Sequence, residues 1–352
     1  MSSIQPGSPF PDYTTTSTAQ RWQPEVAPPA RRRGPTIHIV LFALTFVTTS
    51  WSGANWSGFD PSEDWTLIRA GFPFSVTLMS ILLFHEMGHY FLARYHRVEA
   101  TLPYFIPAPA VFLAGTLGAF IRMKSPPPGR KALFDVGAAG PWAGIIVAIP
   151  AIVIGLRLSE IRPAGLAEAG GLAFGEPALF SAISYFTLGP LAPGMDIFLH
   201  PIATAGWIGL FVTFLNLIPV GQLDGGHVAY AFLGRWHRIL ARAFFAVILV
   251  LAFTDWPGWF VWVVLLLVVG LDHPPTLDSW TPLDPARRFA SCMTALLFAA
   301  TFMAAPISVS EPSPEFEGDK TAVAWRQHTA PAHAKPRLFL MKTAPQPKGI
   351  PL

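Results

Sequence analysis

This sequence of 352 residues has few charged side chains and almost no cysteine. Charged residues make up 13% of the chain and hydrophobic residues 52%, whereas an average soluble domain is about 25% charged. This balance excludes an ordinary soluble protein. The net charge of +3 is small and does not suggest a nucleic-acid partner. Because Cys292 is the only cysteine, an intramolecular disulfide and a cysteine-rich metal site are excluded, and any metal must be held by histidine and carboxylate.

Long apolar runs predict an all-α polytopic membrane protein with about six or seven transmembrane helices. Residues 1–35, rich in Pro, Ser and Thr, and residues 307–352 are predicted to be disordered tails. A membrane domain is therefore expected over residues 36–306, with a core over 72–235. The expected spans cover residues 37–51, 72–95, 132–156, 201–219, 239–253, 259–271 and, as a candidate seventh, 289–305.

The stretch between the second and third spans does not fit a spanning helix. Pro103, Pro107 and Pro109 interrupt helical hydrogen bonding, and residues 115–123 alternate in the manner of a short strand. In a bilayer, irregular backbone is tolerated only where it is buried in protein or lines a cavity. The sequence therefore predicts a short re-entrant β-hairpin or loop near the functional site.

Basic clusters give an expected orientation. Arginine and lysine collect at residues 31–33, 94–131 and 235–242, and the positive-inside rule places such clusters in the cytoplasm. We therefore expect an integral multi-pass protein of the plasma (inner) membrane with a cytoplasmic N-terminus. A seventh span would put the basic C-terminal tail outside, so whether the last apolar run crosses the membrane is left open.

The run over residues 72–95 contains the segment His85-Glu86-Met87-Gly88-His89. HExxH on a helix places two imidazoles one turn apart on one face, with a carboxylate beside them. The two histidines can share a zinc ion, and Glu86 can take a proton from the water that the zinc polarises. Since a bilayer makes buried His and Glu energetically expensive, their presence within a span indicates a function.

Catalytic zinc needs a third protein ligand, and Asp224 is the best remaining candidate. It follows the fourth span, which Pro219 and the glycines 221, 225 and 226 interrupt. Asp224 is therefore predicted to lie on irregular backbone that can bend toward the metal. About 13 residues, or roughly 20 Å of helix, separate Phe72 from His85, so both ligand segments are expected on the cytoplasmic side of the midplane.

Three blocks of this sequence resemble the site-2 protease family of intramembrane zinc metalloproteases. They are FHEMGHYFLAR (84–94), FDVGAAGPWAG (134–144) and NLIPVGQLDGGH (216–227), in the family's order. The resemblance implies one Zn²⁺ per chain, held by His85, His89 and Asp224, with Glu86 as general base and acid. It also implies that Asn216 helps to hold the substrate or the developing oxyanion. The GxxxG element in the middle block is interpreted as helix packing rather than chemistry.

The resemblance implies cleavage of transmembrane protein or peptide substrates within the lipid bilayer. Residues 115–123 are predicted to offer a strand edge that captures the unwound substrate. The connection over residues 157–198 is too short for the PDZ domain of many family members, so substrate selection by such a domain is not expected. Release of a membrane-tethered factor and maturation of a small peptide both stay open, as does the oligomeric state.

Two further histidines have open roles. His227 could support a metal ligand from behind or begin a helix in the polar rim, and the sequence favours neither role. His273 lies in the segment LDHPPT (271–276), for which an interfacial turn is favoured over contact with the site.

The main rival is a membrane transporter or channel with a structural or transported metal site. It would explain His and Glu in a span, but it gives no reason for a Glu directly after the first His. Serine and aspartyl intramembrane proteases lack support, because no convincing Ser/His dyad or paired intramembrane aspartates are present. An inactive, scaffold-like relative would not need His85, Glu86, His89 and Asp224 together.

Overall fold

A computed structural model describes residues 34–109, 112–163, 172–309 and 340–341. The predicted tail over residues 1–35, apart from its last two residues, lies outside the described residues. So does most of the predicted tail over 307–352.

Apolar helices dominate the described part of the chain. Those that match the expected spans are α1 (Thr36–Trp56), α2 (Phe72–Tyr95), α3 (Arg130–Arg157), α5 (Pro201–Asn216), α7 (His237–Thr254), α8 (Trp259–Val269) and α9 (Pro285–Thr301). Two helices lie outside the expected spans, α4 (Ala178–Leu188) and α6 (Asp224–Leu233).

Four helical segments of the described residues are long and apolar enough to cross a membrane, namely 36–56, 65–95, 130–157 and 224–254. The helices α4, α5 and α8 are apolar but shorter, and α5 has only 16 residues. At 1.5 Å per residue, α5 is about 24 Å long, less than a hydrocarbon core of about 30 Å. The chain is therefore a mostly helical integral membrane protein.

Small sheets accompany the helices, with antiparallel pairing except between β4 and β7, which are parallel. Strand β1 (Tyr104–Pro107) pairs with β2 (Thr116–Phe120), with Tyr104 opposite Phe120, so a strand forms within the stretch whose alternation predicted one. Two further groups were not predicted, and the all-α expectation was therefore incomplete. Strand β3 (Glu160–Pro163) pairs with β5 (Met195–Phe198), and β4 (Leu172–Phe174) lies between β6 (Ile307–Val309) and β7 (Leu340–Met341).

Helix α3 packs directly against α2 and α5 because small residues line its contacts. A Cβ added at Gly155 would lie 2.2 Å from the Ala203 backbone nitrogen of α5. On the other side, a Cβ at Gly88 of α2 would lie 2.6 Å from the Ala139 carbonyl oxygen of α3. Only hydrogen fits at such close approaches. These contacts bring the HExxH segment of α2 against the first half of α3.

The segment after α5 differs from the prediction in one respect. The helix breaks as expected, and Gly221 has a φ of +57°, which favours glycine. The prediction of irregular backbone at Asp224 was wrong, however, because Asp224 is the first residue of α6. A Cβ at Gly225 would lie 1.9 Å from the Leu217 carbonyl oxygen. The glycine therefore lets α6 begin directly against the end of α5, which presents Asp224 to α2.

Candidate metal centre

Two turns of α2 carry the histidine pair. His85, Glu86 and His89 are all buried, and the two imidazole rings lie with their centroids 4.8 Å apart. The spacing of four residues places them on one face of the helix, as the motif predicted.

Asp224 completes a cluster of three convergent atoms. Its Oδ2 lies 3.2 Å from Nε2 of His85 and 3.2 Å from Nε2 of His89, and the two Nε2 atoms are 3.1 Å apart. A tetrahedral ion with bonds of about 2.0–2.1 Å separates its ligand atoms by about 3.3–3.4 Å. The donor set and its spacing therefore fit a zinc ion, and no other group of this kind occurs in the described ranges.

A hydrogen bond from the opposite ring nitrogen orients His89. Its Nδ1 lies 2.7 Å from the Val136 carbonyl oxygen on α3. Since a carbonyl only accepts, Nδ1–H is the donor, and Nε2 keeps its lone pair toward Asp224. This arrangement is typical of metal-binding histidines.

Glycines of α3 form the wall behind these ligands. A Cβ at Gly140 would lie 2.0 Å from Nε2 of His89, and one at Gly144 would lie 3.4 Å from Nδ1 of His85. The interpretation of the GxxxG element as helix packing was therefore incomplete, because the same glycines also leave room for the imidazoles. Their spacing on the helix was the available signal, but the sequence did not say which partner they face.

Asn216 is the last residue of α5, and its Nδ2 lies 3.3 Å from Nε2 of His85. Together with Glu86 and His227 it lines a pocket that opens beside the three ligand atoms. The other wall of this pocket is formed at the C-terminal end of strand β2, by Ala119, Phe120 and Ile121.

His227, which lines this pocket, is paired with His273. The Nδ1 of His227 lies 2.7 Å from Nε2 of His273. The sequence favoured an interfacial turn without contact to the site for His273. In the structure its side chain is buried and packs against α6. This contact joins residues 46 positions apart, and nothing in the local sequence indicated it.

The fold and this cluster define a membrane-embedded protein with a candidate metal centre and a glutamate beside it. The family model of peptidase family M50 matches residues 73–254, and the chain belongs to that family. The resemblance to the site-2 proteases is thereby confirmed.

Curated relatives carry related names. The probable zinc metalloprotease EGY1, chloroplastic, of Oryza sativa subsp. japonica is 35% identical over 195 residues, which are 54% of this chain and 33% of that protein. EGY1 of Arabidopsis thaliana is 36% identical over 171 residues, or 48% and 31% of the two chains. EGY2 of the same plant is 32% identical over 255 residues, or 71% and 44%. The matches thus span less than half the length of these relatives.

Proposed function

We propose that the protein is an intramembrane zinc metalloendopeptidase that hydrolyses peptide bonds in or near transmembrane segments of membrane-protein substrates. The observation that carries this proposal is the triangle of His85, His89 and Asp224 ligand atoms, 3.1–3.2 Å on each side, with Glu86 buried beside it. Membership of peptidase family M50 and the names of the relatives as probable zinc metalloproteases support it.

One Zn²⁺ per chain would be held by His85, His89 and Asp224. When bound, zinc lowers the pKa of its water and polarises a carbonyl. Glu86 acts as general base by accepting a proton from the attacking water, and it then gives that proton to the leaving amine. The Asn216 amide, beside the same ligand atoms, holds the substrate or the developing oxyanion.

Strand β2 supplies a docking edge for an unwound substrate. Its sheet has two strands in the described residues, β1 and β2, so the second edge of β2 is unpaired there, and residues at the end of this strand line the pocket. The pocket volume of about 210 Å³ is below the roughly 300–1,000 Å³ of pockets for drug-sized ligands. A helix with side chains is about 10–12 Å across, so the pocket favours an extended peptide. Such a segment would gain main-chain hydrogen bonds by adding to β2.

The membrane arrangement is also part of the proposal. The apolar runs support six or seven crossings, and the basic clusters at 31–33, 94–131 and 235–242 support a cytoplasmic N-terminus. A re-entrant position of the β1–β2 hairpin is supported by its place beside buried Glu86 in one pocket. The plasma (inner) membrane has no such support, since the named relatives are chloroplastic.

Replacement of Glu86 by Gln tests this function. The purified variant should keep its zinc and lose cleavage of a single-span reporter by about 10²- to 10⁴-fold, the usual contribution of a general base. Glu63→Gln is the matched control, because Glu63 is an exposed glutamate in a loop, and it should cleave like the wild type.

Two outcomes would contradict the proposal. Zinc-loaded wild-type protein could fail to cleave while transporting a metal, as the transporter alternative expects, or Glu86→Gln could cleave at the wild-type rate. If the proposal holds, the inactive variant should co-purify with its uncleaved substrate, which would identify the natural one.

A further inference from the structure

His273 is a buried loop residue that lies against α6, on the side of the helix that carries Asp224. His227 and Tyr230 follow at intervals of three residues, so the three side chains share one side of the helix. The His273 ring stacks on the Tyr230 ring, with centroids 4.4 Å apart and an angle of 16°. Its Nε2 meets Nδ1 of His227 at 2.7 Å. His273 is therefore held by two consecutive turns of the helix that carries the candidate ligand.

The loop that carries His273 is attached to the rest of the protein on both sides of this residue. Before it, the Gly221 amide donates to the Leu271 carbonyl at 3.1 Å. After it, the Asp278 amide donates to the Pro128 carbonyl at 3.1 Å. The position of the His273 ring is therefore determined by the fold as well as by its own contacts.

A chain of hydrogen bonds determines the proton positions in the histidine pair. The Nδ1 of His273 lies 2.5 Å from the carbonyl oxygen of Pro274, and a carbonyl can only accept. Nδ1 of His273 therefore carries the proton, and in the neutral ring Nε2 is an acceptor. It follows that His227 donates from Nδ1 and that its Nε2 keeps a free lone pair.

The neutral state of His273 has an independent physical cause. Burial lowers the pKa of His273 to about 4, although the bond to the Pro274 carbonyl opposes this change. A charged His273 would donate from both nitrogens and would reverse the direction of the bond to His227. Around neutral pH this reversal is excluded.

The free nitrogen of His227 belongs to a side chain that lines the pocket beside Glu86 and Asp224. An extended peptide in this pocket brings backbone N–H groups that need acceptors once they leave water. In the proposed function, Asp224 is committed to the metal and Glu86 to the water. The amides of Asn216 and Gln222 also line the pocket, and His227 adds a ring nitrogen whose lone pair is kept free by its own hydrogen bond to His273.

We propose that His227 contacts the substrate by accepting a hydrogen bond at Nε2 from a backbone N–H of the extended segment, and that His273 is the positioning residue that fixes the required tautomer. This inference rests on the proposed function, because that function is what makes the bound molecule a peptide. The tautomer itself is a property of the free protein, so it is tested without any cleavage.

The first test is nitrogen NMR of the full-length, zinc-loaded protein in lipid bilayers, labelled with ¹⁵N at its 10 histidines. The His227 signals are assigned by their loss in His227→Gln. Protonated and bare imidazole nitrogens resonate far apart, so the tautomer is read directly. We expect His227 with a protonated Nδ1 and a bare Nε2; a protonated Nε2 in the wild type would overturn the proposal.

The second test is the variant His273→Phe, which keeps a ring against Tyr230 and removes both nitrogens. The proton of His227 should redistribute toward Nε2. With zinc content unchanged, kcat/KM for a reporter should fall by about 3- to 10-fold, the range of one neutral hydrogen bond. An unchanged tautomer and rate, or a loss of zinc in this variant, would each refute the positioning role.

Two comparisons separate this role from loop docking. Ser279→Ala alters the same loop away from His227 and should leave the His227 signals and kcat/KM unchanged; a loss equal to that of His273→Phe would count against the proposal. His227→Gln retains an acceptor near the position of Nε2 and should keep more activity than His227→Phe. Equal losses would overturn the acceptor role. If the wild type shows no cleavage at all, the proposed function fails, and the NMR result still decides the tautomer.

Discussion

The close contact between Gly140 and His89 gives a sharp test of the metal centre. An alanine at Gly140 would place its Cβ 2.0 Å from Nε2 of His89 and 2.5 Å from Cδ2 and Cε1 of the same ring. An ordinary non-bonded contact needs about 3.5 Å, so the ring nitrogen would have to recede by about 1.5 Å. The Nδ1 of this ring is anchored to the Val136 carbonyl at 2.7 Å, and that bond would break as the ring moves.

The expected result is a loss of zinc rather than a loss of fold. Metal–ligand bond lengths tolerate a change of only about 0.2 Å. Loss of a group that only orients a ligand already lowers metal affinity by about 10- to 100-fold. Displacing the ligand itself in Gly140→Ala should therefore weaken zinc binding by about 100-fold or more. Alanine is a better helix former than glycine, so α3 should persist.

Zinc affinity is measured by competition with a chelator of known affinity, using purified protein in detergent. Gly144→Ala is the matched control on the same helix, since its Cβ would lie 3.4 Å from Nδ1 of His85 and 3.5 Å from Cβ of that residue. These are ordinary contacts, and the control should bind within about 3-fold of the wild type. If Gly140→Ala binds zinc as tightly as Gly144→Ala, the proposed position of His89 is wrong.

Three further outcomes are expected. Removal of zinc by a chelator should lower the melting temperature, which is measured by tryptophan fluorescence. The reason is that a free zinc concentration 100 times Kd adds about 2.7 kcal/mol to the free energy of unfolding. An unchanged melting temperature would contradict a bound ion. The Asp135 carboxylate accepts from Arg287 of α9 at 2.6 Å and 2.8 Å and lies 2.7 Å from His96 Nε2. Asp135→Ala should therefore cost about 1–3 kcal/mol in thermal unfolding, and a neutral result would show that these contacts do not stabilise the fold. Just after β2, the Arg122 carbonyl accepts from the Thr101 amide, so the backbone of Arg122 faces the β1 side. Because successive residues of a strand direct their backbone groups to opposite edges, the Ala119 amide faces the other, unpaired edge. Ala119→Pro should reduce reporter cleavage with zinc retained while Ala119→Ser should not, and equal cleavage by both would exclude substrate addition at this edge.

Local patterns in the sequence were sufficient for the parts of the site that depend on local geometry. The spacing of His85 and His89 places both on one helical face whatever surrounds them, and the apolar run around them specified the helix from Phe72 to Tyr95. The break near Pro219 and Gly221 was equally local, because it follows from backbone restrictions of those residue types. The short strand at residues 116–120 was indicated by simple alternation.

Contacts between distant segments were decided only by the tertiary structure. Asp224 is separated from His85 by 139 positions, and its helical backbone could not be predicted because α6 begins where glycine lets it pack against the end of α5. The contacts of Gly140 with His89 and of His273 with His227 likewise depend on which helix faces meet. Periodicity specifies that a residue is buried, but not against which partner, because that choice is made by close packing of the whole chain.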